Sequence, residues 1–502
     1  MKALSIGETA KAVGGRLLAG RDGDTYCGVS SDSRTVARGN LFFALRGKRF
    51  DAHDFLSQVA RRGCGAIVVS KPDAAPEDFG GAVIGVPDTL IAYQALAAYY
   101  RRLIDPTTVG VTGSVGKTSL KDMIAFVCGA LRRTVWTDKN YNNHIGVPRT
   151  IFEMDEDTEV LILEMGMSRQ GEIERLAEIA RPDVAVISNV GVSHRENFDG
   201  DDGIFRAKAE ITTFLDEDGV LVVNGDDPLL RALADAPTGP YRCVTAGTDL
   251  RCDFRVTEVK YAGESGIAFQ MTHGGETVRF ALPAAGLHNG LNAALAVAVL
   301  HELGVGMDRA AELLRSMTRT PHRLQLLERD GIKIIDDSYN AGPASMRSAL
   351  EYLTAVAGRR RIAVLAGMNE LGDRSPSLHA EVGRFAAATG VNLLITVGEK
   401  ARDIYLGARE ACACPGETLH FADNAAVIDF LAEWAKPGDV YLVKGSRAMR
   451  MEEIVGALAE ARASVCSRGL CGEGGKERER NVRAPDGADV VCPVRGKRGG
   501  RG

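Results

Sequence analysis

Short, unbroken apolar runs alternate with amphipathic stretches over most of the chain. Leu41-Phe-Phe-Ala-Leu45 and Ala66-Ile-Val-Val-Ser70 read as buried strands, and Asp88-Thr89, just after Pro87, opens a helix. Residues 107–111 form an apolar lead-in to a glycine-rich turn, after which a helical pattern runs from about Leu120 to Leu131. Val160-Leu-Ile-Leu-Glu164, Val184-Ala-Val-Ile-Ser188 and Val220-Leu-Val-Val-Asn224 are strand-like, with a helix around Ile173 to Ala180 between the first two. Continuous apolar strands separated by helices predict a parallel sheet covered on both faces. Ile332-Lys-Ile-Ile-Asp336, Ile362-Ala-Val-Leu-Ala366, Leu393-Leu-Ile-Thr-Val397 and Val440-Tyr-Leu-Val-Lys444 repeat the pattern and predict a second doubly wound sheet. The expected fold class is α/β in three regions: a small N-terminal α/β domain over 1–85, a central doubly wound parallel sheet over 86–315, and a C-terminal sheet domain over 316–462. Beyond these, Gly, Arg and Glu dominate and apolar residues thin out, so 463–502 is expected to be a disordered tail.

Composition narrows the function classes. The chain has 502 residues, enough for about three domains. A net charge of −5 argues against a general nucleic-acid binder. The polar, mixed start has no secretory apolar region, and no apolar run is long enough to span a bilayer, so a cytoplasmic protein is expected. Ten cysteines are scattered, and the one tight pair, Cys412-Ala-Cys414, lacks the spacing of a zinc site.

The densest chemical signal is Gly110-Val-Thr-Gly-Ser-Val-Gly-Lys-Thr-Ser119. A glycine-rich turn between strand and helix, ending Gly-Lys-Thr, is a phosphate cradle: backbone N–H groups and the helix N-terminus point at the anion. Lys117 would reach the outer phosphates and the Thr118 hydroxyl would hold Mg²⁺. The general pattern wants a glycine where Val111 stands, so the loop is a variant. Chemistry is expected at the carboxyl ends of the strands, where Glu164, Asn189 and Asn224 fall. Glu164 is there either as a Mg²⁺ ligand or as an exposed or capping charge. His194 and Lys208 read by themselves as a structural histidine and a solvated helix lysine. Asn289 and Asn292, in Leu287-His-Asn-Gly-Leu-Asn292, either read a purine edge or cap a helix. Asp336-Asp-Ser-Tyr-Asn-Ala-Gly-Pro343 ends a strand with two acids of the kind that hold ribose hydroxyls.

Taken in order, these segments resemble the Mur ligase family, ATP-dependent amide-forming enzymes of peptidoglycan precursor synthesis, over about residues 25–460. The resemblance implies a three-domain fold with a uridine-nucleotide domain, a central P-loop domain and a C-terminal Rossmann-like domain. It implies ATP binding by Gly113, Ser114, Val115, Gly116, Lys117, Thr118 and Ser119, which carry the family's Thr-Gly-x-x-Gly-Lys-[Ser/Thr] loop. The family's His-Asn-x-x-Asn adenine motif falls on His288, Asn289 and Asn292, its interdomain arginine on Arg323 and its ribose aspartate on Asp337. Glu164, His194 and Lys208 match its metal-site positions, Lys208 being the lysine that is carbamylated in the family to serve as a Mg²⁺ ligand; two Mg²⁺ sites are implied.

Four segments resemble the branch of the family that joins D-alanyl-D-alanine to UDP-N-acetylmuramoyl-tripeptide through an acyl phosphate: 140–148, with Asn142 and Asn143; Glu164-Met-Gly166; 336–343, with Tyr339 and Asn340; and 443–449, with Lys444, Ser446 and Arg447. Ser31, Asp32, Ser33 and Arg34, with Phe42-Phe-Ala-Leu-x-Gly47, resemble the uridine-nucleotide domain. The chain departs from the pattern at His144, where the family has Glu, at Gly342, where it has Asn, and in the looser 366–372 segment; these lie on the acceptor and dipeptide side. A monomer without nucleic-acid or membrane partners is implied. The rivals are the preceding ligase, whose Asp-Asn-Pro-Arg run is missing here, a folyl-polyglutamate synthetase, a P-loop kinase, which leaves 1–85 and 320–450 unexplained, and a non-catalytic paralogue, which would be expected to lose Lys117, Glu164 or Lys208.

Overall fold

The computed structural model describes residues 1–47, 50–191, 198, 200–318, 321–411 and 416–460. His194, the Cys412–Cys414 pair and the tail 463–502 lie outside the described residues. Three main sheets follow one another along the chain. The first has five strands in the spatial order Arg16–Ala19, Ala82–Gly85, Ala66–Val69, Leu41–Phe43, Val29–Ser30, parallel except for the first. The helix Thr89–Ile104, capped by the Asp88 carboxylate as its Asp-Thr entry predicts, leads to the second sheet.

Third from one edge of that nine-stranded sheet lies Thr107–Thr112, flanked by Val160–Glu164 and Val184–Ile187. Every residue of Val160–Glu164 and Val220–Asn224 is buried, as strands covered by helices on both faces must be. Register aligns the carboxyl ends: Glu164 pairs with Val111 and Thr112 with Ile187. The phosphate-loop turn, Glu164 and Ser188-Asn189 therefore emerge at one edge. The helix after the turn begins at Lys117, not near Leu120, because its first turn is polar and hydrophobic periodicity starts only with Leu120. Against the parallel expectation, the far edge carries Phe254–Tyr261 followed by two antiparallel strands, Ile267–His273 and Glu276–Leu282. The Ala-rich helix His288–Glu302 is buried almost all round against this sheet.

The third sheet orders Gln325–Arg329, Ile332–Asp337, Asp439–Lys444, Arg360–Ala366, Leu393–Val397 and Glu417–Phe421, with only the first strand antiparallel. Register sets Asp337 directly beside Lys444 at its carboxyl edge. Among the described residues no helix is long and apolar enough to cross a membrane.

Candidate functional site

The turn after Thr107–Thr112 is held open by two glycines. Gly113 (φ +147°) and Gly116 (φ +85°) adopt backbone that favours glycine, and a Cβ on Gly113 would collide with Ser188 while one on Gly116 would come within 2.7 Å of Asn292 Oδ1. Ser188 and Asn189 then fix the loop. Ser188 Oγ and Asn189 Nδ2 both donate to the Val115 carbonyl, at 2.7 and 2.8 Å, and Val115 N–H donates to Asn189 Oδ1 at 2.9 Å. Ser114 Oγ bonds the Gly191 backbone. The helix that follows, Lys117–Leu131, has no side-chain cap, so its N-terminus faces the cavity as an anion-binding end.

Lys117 donates to the Gly113 carbonyl at 2.6 Å, folding its ammonium back over the turn. Burial first, then the Arg323 charge, push its pKa down, while Glu164 opposes the shift. Glu164 is 3% exposed and is neither a cap nor a solvated charge. Its Oε1 accepts from Asn142 Nδ2 at 2.8 Å, and its Oε2 is buried with no hydrogen-bond partner among the described residues. A buried carboxylate oxygen left unpaired is what a cation ligand looks like without its cation. Lys208, on the helix Gly200–Ala209, is 2% exposed, so the solvated reading of this lysine is wrong. Burial, with Lys117 adding a like charge, holds its pKa well below the ordinary lysine value.

Asn289 and Asn292 do not cap their helix. Asn289 Nδ2 donates to the Ala285 carbonyl at 2.6 Å, and Asn292 Nδ2 to Asn289 Oδ1 at 3.0 Å. His288 opens onto the cavity yet has protein around it. Burial chiefly, then Lys444 and Arg323, keep its ring below the usual imidazole pKa. Arg323 sits between two residues in left-handed backbone, His322 (φ +60°) and Leu324 (φ +48°), a strained turn that aims its guanidinium at the phosphate loop. There Nη2 donates to Thr118 Oγ1 at 3.0 Å, and the guanidinium carbon lies 4.3 Å from the Tyr339 ring centroid. Lys444 donates to Asp337 Oδ2 at 2.6 Å and to the Asn340 carbonyl at 2.8 Å. Burial still raises Asp337, against the pull of Lys444.

These groups share one cavity of about 940 Å³. Its wall runs from Ser114–Ser119, through Asn140, Asn142, Asn143, His144, Glu164 and Lys208, to His288, Asn289, Arg323, Asp337, Tyr339, Asn340, Gly342 and Lys444. The central and C-terminal sheets thus present their carboxyl edges to the same space. Gly113 and Asn292 stand just behind the wall. Ser446 and Arg447 lie off it: Ser446 Oγ accepts from Asn369 N–H at 2.9 Å, and Arg447 pairs with Glu452 at 3.2 Å. Ser31–Arg34 lie off it too, in the turn that follows the N-terminal sheet's strand Val29–Ser30. Asp32 holds Arg34 in a two-point ion pair, at 2.9 and 2.8 Å, and Ser31 bonds Tyr93. Arg169, before the helix Glu172–Ala180, and Arg175, within it, line the cavity, although arginines in and around an ordinary helix carry no motif in the sequence. The loop-fixing part of Asn189 was equally silent: only its strand-end position was visible.

A Mur ligase catalytic-domain model matches residues 25–105, the Mur ligase middle-domain model 111–300, and the Mur ligase glutamate ligase domain model 322–447. The UDP-N-acetylmuramoyl-tripeptide--D-alanyl-D-alanine ligase of Bacillus subtilis is 38% identical over 436 residues, covering 86% of this chain and 93% of its own. A crystal structure of MurF from Acinetobacter baumannii superposes with a TM-score of 0.84 at 31% identity, covering 92% of this chain and 99% of its own. MurF ligase from Thermotoga maritima, solved in complex with ADP, gives 0.77 at 29% identity, covering 87% and 98%. Sequence and fold agree along nearly all of the described chain, and this protein belongs to the Mur ligase family.

Proposed function

We propose that this protein joins D-alanyl-D-alanine to UDP-N-acetylmuramoyl-tripeptide with ATP, giving UDP-N-acetylmuramoyl-pentapeptide, ADP and phosphate. The observation that carries the reading is the unpaired, buried Glu164 Oε2 in a cavity shared by the phosphate loop and the C-terminal sheet. It is the reaction of the relatives named above, which match this chain across its three sheets.

A carboxylate is a poor electrophile. Its oxygen first attacks the γ-phosphorus of ATP, ADP leaves, and an acyl phosphate forms. The dipeptide's amine then attacks the acyl carbon, phosphate leaves, and the nitrogen loses a proton. The loop N–H groups of 114–119 and the Lys117 ammonium offset charge on the transferring phosphoryl group. Thr118 would hold one Mg²⁺, and Glu164, His194 and carbamylated Lys208 a second; bound there, the ions would offset charge on the phosphate oxygens. Lys208 suits that part because its burial favours the neutral amine. The amine nitrogen attacks CO₂, an N–C bond forms, and one proton passes to solvent, leaving an anionic oxygen donor suited to a hard cation.

Asn289 and Asn292 would serve adenine and Asp337 the ribose. Arg323, already on Thr118, would couple nucleotide to the C-terminal domain. Ser31–Arg34 would hold the uridine end. Asn142, Asn143, Tyr339, Asn340, Lys444, Ser446 and Arg447 would receive the peptide and the dipeptide. Two of the three Lys444 donors are engaged within the protein, which leaves one for substrate. We place the domain limits at 1–85, 86–315 and 316–462, with closure between them orienting three substrates. The same reading has the enzyme work as a cytoplasmic monomer, where ATP and UDP-linked precursors are supplied.

The test is isotopic. With ¹⁸O in the acceptor carboxylate, one ¹⁸O should appear in the released phosphate. Phosphate free of label would exclude the acyl phosphate.

A further inference from the structure

A buried lysine that touches no substrate needs a reason, because taking an ammonium out of water costs several kcal/mol. Lys121, one turn beyond Lys117, is 3% exposed, does not line the cavity, and sits among Leu120, Met123 and Ile124 on the buried side of its helix. A methionine or leucine would fill that position without charge. The ammonium instead has two partners: the Asp122 carboxylate at 2.6 Å and the Thr137 carbonyl at 2.7 Å.

Thr137 is wholly buried and stands where the edge strand Thr134–Trp136 gives way to the 138–144 loop. Its N–H donates to the Ile162 carbonyl at 3.0 Å, and its Oγ1 accepts the backbone N–H of Glu164 at 3.0 Å. The loop then returns to the same carboxylate. Asn142 donates from its side chain to Glu164 Oε1, and its carbonyl accepts Gly166 N–H at 2.8 Å. The loop is pinned a third time where Gln94 Nε2 donates to the His144 carbonyl at 3.0 Å. One segment thus grips Glu164 by its backbone and by one oxygen, leaving the other free, and Lys121 is the anchor of its first residue.

We propose that Lys121 and Thr137 are positioning residues that fix the Glu164 carboxylate for a divalent cation: Lys121 holds Thr137, and Thr137 holds Glu164. This rests on the reading of Glu164 as a cation ligand. Groups that orient a ligand from behind typically govern metal affinity by 10–100-fold.

Mn²⁺ binding to the whole chain in the presence of ADP, followed by the electron paramagnetic resonance signal of free Mn²⁺, separates this from a structural role without turnover. Glu164→Gln is the reference. Thr137→Val and Lys121→Met should each weaken Mn²⁺ by about 10–100-fold, and Thr137→Ser, which keeps the hydroxyl, by less than about threefold. The Thr137→Val/Lys121→Met double variant should be no weaker than the worse single variant within about twofold, because both act on one carboxylate. Should Lys121→Met fail to fold, Thr137→Val against Thr137→Ser decides alone. Mn²⁺ affinity in folded Thr137→Val within twofold of the parent, while Glu164→Gln loses it, overturns the inference. So does a double variant whose losses multiply. If Glu164→Gln itself binds Mn²⁺ like the parent, the fault lies in the reading of Glu164.

Discussion

Lys444→Met should cost the C-terminal domain about 3–5 kcal/mol, and the cost should fade as pH falls. Lys444 is 2% exposed and Asp337 8% exposed, and their charged atoms are 2.6 Å apart. Coulomb's law at an effective dielectric of about 20 gives roughly 6 kcal/mol at that distance; relaxation reduces the loss on removing one partner to about 3–5 kcal/mol. The variant leaves Asp337 buried without its ion-pair partner, with only the Leu324 N–H at 3.2 Å and the Arg323 charge to offset its own. Its pKa, already raised by burial, then rises further above the unfolded value. A carboxyl with a raised folded pKa destabilises fully above that pKa and ceases to do so as it protonates in the folded state. The parent–variant gap should therefore be widest near pH 8 and narrower near pH 5. The chain has two tryptophans, and Trp434 lies in this domain, 3.9 Å from the Arg360 guanidinium. In a Trp136→Phe background, urea unfolding followed by Trp434 fluorescence reports the domain alone. Asp337→Asn in the Lys444→Met chain should recover much of the loss, because no buried charge remains. A loss below about 1 kcal/mol, a gap that does not change with pH, or a double variant as costly as the two singles summed would refute the reasoning.

Lys117→Ala should lower phosphate release by at least about 10²-fold with an unchanged urea profile, since the ammonium acts on phosphoryl charge; near-normal release would remove the loop from catalysis. Lys208→Ala should lose most turnover, regain part with formate or acetate, and regain none with bicarbonate; a fully active variant would dispose of the second metal position. Arg323→Ala should raise the KM for ATP by about 10–100-fold, the worth of a charge-assisted hydrogen bond, and an unchanged KM would mean that its contact with Thr118 does not serve nucleotide. His144→Glu should shift the KM of the peptide or the dipeptide while leaving that of ATP within about twofold, as measured by steady-state phosphate release.

The buried parallel strands were readable because each is a continuous apolar run: 160–164, 220–224 and 393–397 end where the structure ends them. Phe254–Tyr261, Ile267–His273 and Glu276–Leu282 present no unbroken apolar run, because on this half-exposed edge only alternate residues, such as Ile267, Phe269 and Met271, are apolar and buried. At the site, the phosphate loop was legible from its own spacing. Lys208 was not: nothing local distinguishes a buried helix lysine between alanines from a solvated one, and only packing decides. Lys121 and Thr137 were invisible for a related reason, since their meaning lies in hydrogen bonds that join a helix, a strand end and a loop.

The central claim is an amide bond between two particular substrates. The most direct measurement incubates the purified chain with ATP, Mg²⁺, UDP-N-acetylmuramoyl-tripeptide and D-alanyl-D-alanine, and follows product mass and released phosphate together. The account predicts UDP-N-acetylmuramoyl-pentapeptide and phosphate in equal amounts, and neither when the tripeptide or the dipeptide is left out. Equal turnover with UDP-N-acetylmuramoyl-dipeptide and a free diamino acid would contradict it and assign the chain to the preceding ligation.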